Sequence, residues 1–175
     1  MSRVYYPVRY RLDHKDRWLI WHTDSSSEGL EPDGIVVVQT DSVLIFRTPQ
    51  GLAAYAKAND LLPLEADSSA FYNFDAVENW LKRKRPTRLD CVKFLDAWNL
   101  LADLSATTGG DFDSDKVKTR SIYSKLFWGS NLPAVTPPGR YYEPMWLGRE
   151  SKVIRQVLCE GLLMFRRHIT QMKEA

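Results

Sequence analysis

Arg3–Leu12 reads RVYYPVRYRL, and its apolar and polar side chains alternate one by one. This period of two is typical of a half-buried β-strand. Arg17–Thr23, which is rich in aromatic and aliphatic residues, follows a polar turn at 13–16 and predicts the returning strand of a hairpin. Because Pro7 cannot donate a hydrogen bond to a sheet ladder, we expect the first strand to lie at the edge of the sheet.

A second hairpin and a change of period follow this strand pair. Ile35–Gln39 and Val43–Arg47 are apolar segments that flank a short polar stretch, and together they predict a tight hairpin. Beyond it, Thr48 and Pro49 form a typical helix start, an N-cap followed by proline at the first helical position. The sequence therefore predicts an α+β fold, in which an N-terminal antiparallel sheet of about four strands packs against C-terminal helices.

Four further helices are predicted along the rest of the chain. The last is the clearest, because apolar residues recur at intervals of three and four from Val153 to Met172. Between the helices, 60–73 is an irregular connection and 129–148 is a long loop rich in proline. The other three predicted helices begin near Asp75, near Thr87 and near Ser114.

Length and composition limit the class of protein. The 175 residues suggest one domain, 1–175, which is strand-rich over 1–47 and helix-rich over 48–175. A hydrophobic fraction of 44% excludes an intrinsically disordered chain, and a net charge of +2 gives little general attraction for nucleic acid. Arg3, Arg9 and Arg11 interrupt the apolar stretch that a signal peptide would need, so we expect none. No apolar run approaches the roughly 20 residues of a membrane helix. We therefore expect a cytoplasmic protein without a membrane partner.

No motif for metal, cofactor or catalytic chemistry is complete. Asp111, Asp113 and Asp115 imitate the start of an EF-hand calcium loop, but Lys116 and Ile122 stand where that loop needs Gly and Glu. We expect these aspartates to form a solvated loop. The His and Cys residues lack paired metal-ligand spacing, and both Cys fall at apolar helical positions that predict buried thiols. The sequence thus predicts no metal, no cofactor, no catalytic residue, no small-molecule substrate and no enzyme activity.

Positive charge is concentrated at Lys82–Arg85, with Arg88 just beyond. This run could contact the phosphates of a nucleic acid. The helix dipole offers a reason that needs no ligand, because cations are favoured at a helix C-terminus. We favour the second interpretation, and we keep a nucleic-acid-binding module or nuclease-like enzyme that uses 82–88 as the alternative function.

A protein-binding surface is the stronger candidate. The predicted helix Thr87–Thr107 carries polar residues at spacings of three and four, which places them on one face. The Pro-rich loop further on carries Tyr and Trp, types that are enriched among the anchors of protein interfaces. The acidic loop at 111–115 is a second possible contact. The predicted partner-binding residues are Asp96, Asn99, Asp103, Tyr123, Trp128, Asn131, Tyr141, Tyr142 and Trp146.

The same residues could also have a structural role, and the two roles are compatible. The loop would then pack its aromatic side chains on the core. Asp96 and Asp103 would hold the loop in place by accepting hydrogen bonds from its backbone.

Six segments of the chain carry a resemblance to a known family: Leu89–Cys91, Leu95–Leu104, Tyr123–Pro137, the helix from Glu150 to Leu162, Phe46–Ala56 and Phe71–Leu81. Together they resemble the small immunity proteins of bacterial polymorphic-toxin and contact-dependent growth-inhibition systems. The resemblance implies a cytoplasmic antitoxin that binds and neutralises one cognate toxin domain, and it includes no shared catalytic motif. Inhibitors of basic nuclease toxins are often acidic, whereas this chain is near neutral, which leaves the toxin's chemistry open or confines complementarity to a local patch.

Overall fold

Two long antiparallel strands begin the sheet in the computed structural model, which describes residues 3–24, 33–39, 42–65, 70–83, 88–113 and 116–170. Strand β1 (Arg3–Leu12) pairs along its whole length with β2 (Lys15–Asp24). The turn between them contains only Asp13 and His14, whose φ angles are 52° and 60°. Two consecutive left-handed residues are typical of a type I′ turn, whose twist matches that of the strands. The predicted hairpin is thus confirmed.

The prediction that β1 lies at the sheet edge is wrong. Strand β7 (Phe71–Asn73) pairs with β1 in parallel, so β1 lies between β7 and β2. On this side the N–H groups of Tyr5 and Arg9 donate to Pro63 O at 3.0 Å and Ala70 O at 3.1 Å. Pro7 stands midway between these two donors and has the same orientation. Pro63 O and Ala70 O already have donors on β1, so the missing N–H of Pro7 leaves neither of them without a hydrogen bond.

The second predicted hairpin is present, and it is divided between two sheets. Strands β4 (Val37–Gln39) and β5 (Ser42–Val43) pair with each other. The flanking strands β3 (Gly34–Ile35) and β6 (Ile45–Phe46) pair with β2 instead. Part of the predicted turn, 40–41, lies outside the described residues.

The first three helices begin after residues whose side chains accept hydrogen bonds from first-turn N–H groups. Thr48 caps α1 as predicted, because its Oγ1 accepts from Gly51 N at 3.1 Å. Two predicted starts need correction: Asn73, rather than Asp75, caps α2, and α3 begins after its cap Asp90 rather than at Thr87. The helices are α1 (Pro49–Ala58), α2 (Phe74–Leu81), α3 (Cys91–Thr108), α4 (Lys116–Gly129) and α5 (Gly148–Thr170).

The core lies on both faces of the sheet. On one face, Ile20 and Phe46 pack with Leu52 of α1 in a small cluster. On the other, Tyr10 of β1 contacts Phe165 of α5 with ring centroids 5.1 Å apart, within the larger cluster formed with α2, α3, α4 and α5. Each fully buried side chain of this size contributes about 1.5–3 kcal/mol. The α+β arrangement of N-terminal strands and C-terminal helices is confirmed, with the additions of a parallel strand and a helix on the second face.

None of the helices in the described part of the chain is long and apolar enough to cross a membrane.

Candidate functional site

The polar face of α3 is turned towards the fold. Asp103 Oδ2 accepts a hydrogen bond from Trp21 Nε1 of β2 at 2.9 Å. Asn99 Oδ1 accepts one from the Tyr123 hydroxyl of α4 at 2.9 Å. Two of the predicted contact residues on α3 are thus joined to neighbouring elements, and Tyr123 is joined to one of them.

Burial changes the acid–base properties of this face. It raises the pKa of Asp103, against the Trp21 hydrogen bond, and Asp33 raises that pKa further. Burial, followed by the charge of Asp90, also raises the pKa of Asp96. Nearby Tyr72 has its pKa raised to about 12, first by burial and then by the two α3 carboxylates. These carboxylates are half-buried side chains at the junction of α3 with the sheet.

Asp113 contradicts the expectation of a solvated acidic loop. Its side chain is only 4% exposed, and its Oδ2 accepts from Trp98 Nε1 at 3.2 Å and from Lys116 Nζ at 3.1 Å. Asp111 is exposed, whereas Asp115 lies outside the described residues. Among the residues that the structure describes, no group of three or more His, Cys, Asp or Glu could hold a metal ion.

The connection between α4 and α5 at 130–147, called the recognition loop below, is fixed by Asn131. Its Oδ1 accepts from Tyr142 N at 2.8 Å, and its Nδ2 donates to Tyr142 O and to Gly129 O, both at 3.0 Å. Asn131 has a φ of 51°, a left-handed conformation that Asn tolerates better than most residues. An amide of the loop itself therefore holds it, and the prediction that Asp103 does so is wrong, since Asp103 bonds to Trp21.

A second fixed point joins α4, α5 and the far end of the recognition loop. Lys125 Nζ donates to Met145 O at 3.1 Å and to Glu150 Oε1 at 2.8 Å, and it lies 5.8 Å from the centre of the Trp146 ring. Glu150 Oε2 also accepts from Leu147 N at 2.9 Å. Burial opposes ionisation of Glu150, but these hydrogen bonds outweigh it and lower its pKa.

A groove of about 950 Å³ runs between the recognition loop and the start of α3. Cys91, at its floor, is buried, and burial raises the pKa of its thiol to about 11. On the walls, Val92 is 45% exposed, and Tyr141 and Met145 are each 84% exposed. Large apolar side chains with this exposure mark binding sites when they lie together. The prediction of two buried thiols is half wrong, because Cys159 is exposed.

The structure therefore separates the predicted contact residues into two groups. Those of the first group lie on α3 and α4, and those of the second lie on or beside the recognition loop, where four of them line the groove. Val92, Met145 and Lys125 were missed by sequence reasoning, because a single Val, Met or Lys has no spacing that marks it. The first group is Asp96, Asn99, Asp103 and Tyr123; the second is Trp128, at the end of α4, and the four loop residues that line the groove, Asn131, Tyr141, Tyr142 and Trp146.

The described members of the basic segment interact with the fold. Lys82 forms an ion pair with Glu78 at 3.3 Å, and Arg88 forms one with Glu143 of the recognition loop at 3.1 Å. The backbone O of Arg83 accepts from Arg155 at 2.7 Å. Residues 84–87 lie outside the described part of the chain.

Comparison with known proteins bears on the fold alone. No family model matches the chain, and no curated relative matches it. One solved structure with a similar fold is the C-terminal domain of SatS, crystallised in complex with bromine. It is 9% identical, covers 94% of this chain and 92% of its own, and superimposes with a TM-score of 0.59.

Proposed function

We propose that this protein is a bacterial immunity protein, which binds a cognate toxin domain in the cytoplasm and neutralises it. The observation that supports this most directly is the recognition loop, which presents large apolar side chains to solvent while being fastened at two points. Tyr141 and Met145 are each 84% exposed, whereas Asn131 and Lys125 hold the backbone beside them. The resemblance described from the sequence supplies the class of partner.

Fastening favours tight binding. A loop that is ordered before it binds loses little conformational entropy when the partner arrives, so more of the contact energy appears as affinity. Tyr and Trp are enriched among the residues that dominate binding energy, and Met is enriched at interfaces. The recognition loop offers all three types, because Trp146 adjoins Tyr141 and Met145 along it.

Neutralisation in this proposal requires no reaction by the bound protein. Toxin activity is lost because part of the toxin surface is covered. An interface of standard size buries about 1,600 Å² in total, which is more than the groove alone can provide. We therefore assign the groove and the recognition loop to the centre of the contact, with neighbouring parts of α3 and α4 at its rim.

The test is to express the toxin domain encoded beside this gene, with and without the protein, and to measure both cell growth and complex formation by size-exclusion chromatography. We expect rescue of growth and a stable complex. The double variant Tyr141→Ser/Met145→Ser should lose both. The matched control is Val117→Ser/Leu163→Ser, which alters two exposed side chains on α4 and α5 outside the groove and should retain both.

Absence of rescue together with absence of a complex would overturn the proposal. The alternative function predicts a different result. A nucleic-acid-binding module should shift the electrophoretic mobility of RNA or DNA at low salt and lose that shift at high salt. We expect no shift at either salt concentration.

A further inference from the structure

Resting on the proposed function, we propose that the groove receives an uncharged segment of the toxin, anchored by aromatic or branched apolar side chains, so that the affinity depends little on salt. This names the chemistry of the partner at the groove. It differs from docking by attraction between charged surfaces, in which affinity falls as salt screens the charges.

Among the residues that the structure describes, the charged side chains that line the groove are paired within the protein. Arg88 Nη2 and Glu143 Oε1 form an ion pair at 3.1 Å across its mouth. Asp90 forms an ion pair with Lys93, and its Oδ1 also accepts from Lys93 N as the cap of α3. Paired charges of opposite sign produce a weak field at a distance, so this surface is complementary to an uncharged segment.

The apolar part of the groove is left open. Val92 on one wall is 45% exposed, and Met145 on the other is 84% exposed, with Tyr141 and Tyr142 beside it. Covering each Å² of such surface contributes about 25 cal/mol. A cavity of about 950 Å³ is at the upper end of the range for a drug-sized molecule, roughly 300–1,000 Å³, so it accommodates several consecutive residues.

The floor keeps its depth through Gly129, the last residue of α4. A Cβ atom at this position would lie 2.6 Å from Cys91 Sγ and 2.8 Å from Pro144 Cγ. Both distances are too short for real contacts, so a side chain here would displace the wall or the floor. The groove is therefore shaped by the close packing of α4, the start of α3 and the recognition loop, which makes it a preformed receptor for apolar side chains.

The test measures the Kd of the purified protein for the toxin domain encoded beside its gene, at 0.05 M and 0.5 M salt, for the wild type and for Met145→Glu and Met145→Lys. Because the Met145 side chain is 84% exposed, both variants should fold, which circular dichroism checks. An uncharged occupant predicts that both signs of charge weaken binding, each by about tenfold or more. It also predicts less than about a threefold change of the wild-type Kd between the two salts.

Two control variants complete the design. Leu163→Glu adds the same charge on α5, away from the groove, and should change the Kd by less than about twofold. Leu163→Lys adds the opposite charge at the same position and should have an equally small effect.

The outcomes separate this inference from the function on which it rests. If the wild type forms no complex, the proposed function fails and the inference falls with it. If a complex forms but one sign of charge at Met145 tightens binding, or the Kd rises steeply with salt, the occupant is charged and the inference alone fails. Unchanged binding in both Met145 variants likewise refutes the inference and leaves the proposed function standing.

Discussion

The polar face of α3 and the recognition loop both carry polar side chains that form hydrogen bonds, and they use them in opposite ways. On α3, Asp103 is half-buried and holds the indole N–H of Trp21. On the loop, Asn131 bonds only to backbone atoms, and the Tyr141 ring beside it projects into solvent. One region uses polar atoms to join helix to sheet, and the other uses them to hold a loop whose apolar side chains are exposed.

This difference shows that a candidate contact surface is defined by what its polar atoms bind, as well as by which residue types it contains. A half-buried carboxylate that already accepts from the indole of a neighbouring element is held in the fold and is less accessible to a partner. The comparison predicts that changes on α3 reduce stability, whereas changes on the recognition loop reduce binding.

The largest effect is expected for Lys125→Ala. The change leaves Glu150, only 12% exposed at its side chain, without its cation and Met145 O without its donor. Removing one partner of a buried ion pair costs about 3–5 kcal/mol, and partial exposure of Lys125 should place this pair near the lower limit. Urea denaturation measures the loss, and toxin binding should weaken further because the loop is released. Lys152→Ala, at an exposed position of α5, is the matched control and should be nearly neutral.

Asp103→Ala should have the next largest effect, with the opposite balance. It leaves the Trp21 indole N–H without its acceptor, at a cost of about 1–3 kcal/mol in the free energy of unfolding. The Kd for the toxin, measured below the unfolding transition, should stay within about twofold of the wild type. Loss of toxin binding by a folded Asp103→Ala protein would show that the polar face of α3 contacts the toxin directly, contrary to the comparison.

Asn131→Gly should reduce stability by about 1 kcal/mol, because hydrogen bonds near the surface contribute modestly. Glycine retains the left-handed φ of 51°, so the change isolates the three side-chain hydrogen bonds. The loss in free energy of toxin binding should exceed the loss in free energy of unfolding, because the loop must then become ordered when the toxin binds. Ala134→Gly, at an exposed position of the same loop, is the control, because it adds the same backbone freedom and removes no side-chain hydrogen bond. Equal binding by both variants would contradict the role assigned to Asn131.

The smallest effect is a pH dependence at Asp103. Burial raises its pKa in the folded protein above the value in the unfolded chain, so the folded state retains the proton to higher pH. Its contribution to stability is therefore lost as pH rises through the folded pKa, and Asp103→Asn removes that loss. Relative to the wild type, the variant should gain stability as pH rises from 4 to 7, measured by urea denaturation. A constant difference across this range would argue against burial of the charge.

Much of the fold follows from local pattern. The alternation of β1 and the intervals of α5 each extend over ten or more residues, so the period is clear. Strand β7 has only three residues, and its partner Arg9–Arg11 lies about sixty positions earlier, so no local signal marks it. Missing this strand is also why Pro7 suggested a sheet edge.

The candidate site was predictable in part. Prolines and aromatic residues marked the recognition loop, because they form a cluster along the chain. The fastening by Lys125 depends on a partner twenty-five positions away, Glu150, and on a backbone oxygen, neither of which leaves a trace in spacing. For the same reason, equal spacing of polar residues on α3 could not reveal that Asp103 faces the indole of Trp21.

The two fixed points of the recognition loop have a consequence for the rate at which the protein is degraded. Lys125, on α4, joins the loop to α5. The proposed toxin partner, bound at this loop, would therefore have affinity for the folded protein and little affinity for the unfolded chain. Such a ligand raises the free energy of unfolding by about 1.4 kcal/mol for each tenfold excess of its concentration over the Kd. Proteases that cleave the unfolded chain would therefore degrade the protein more slowly in the complex than in the absence of the toxin.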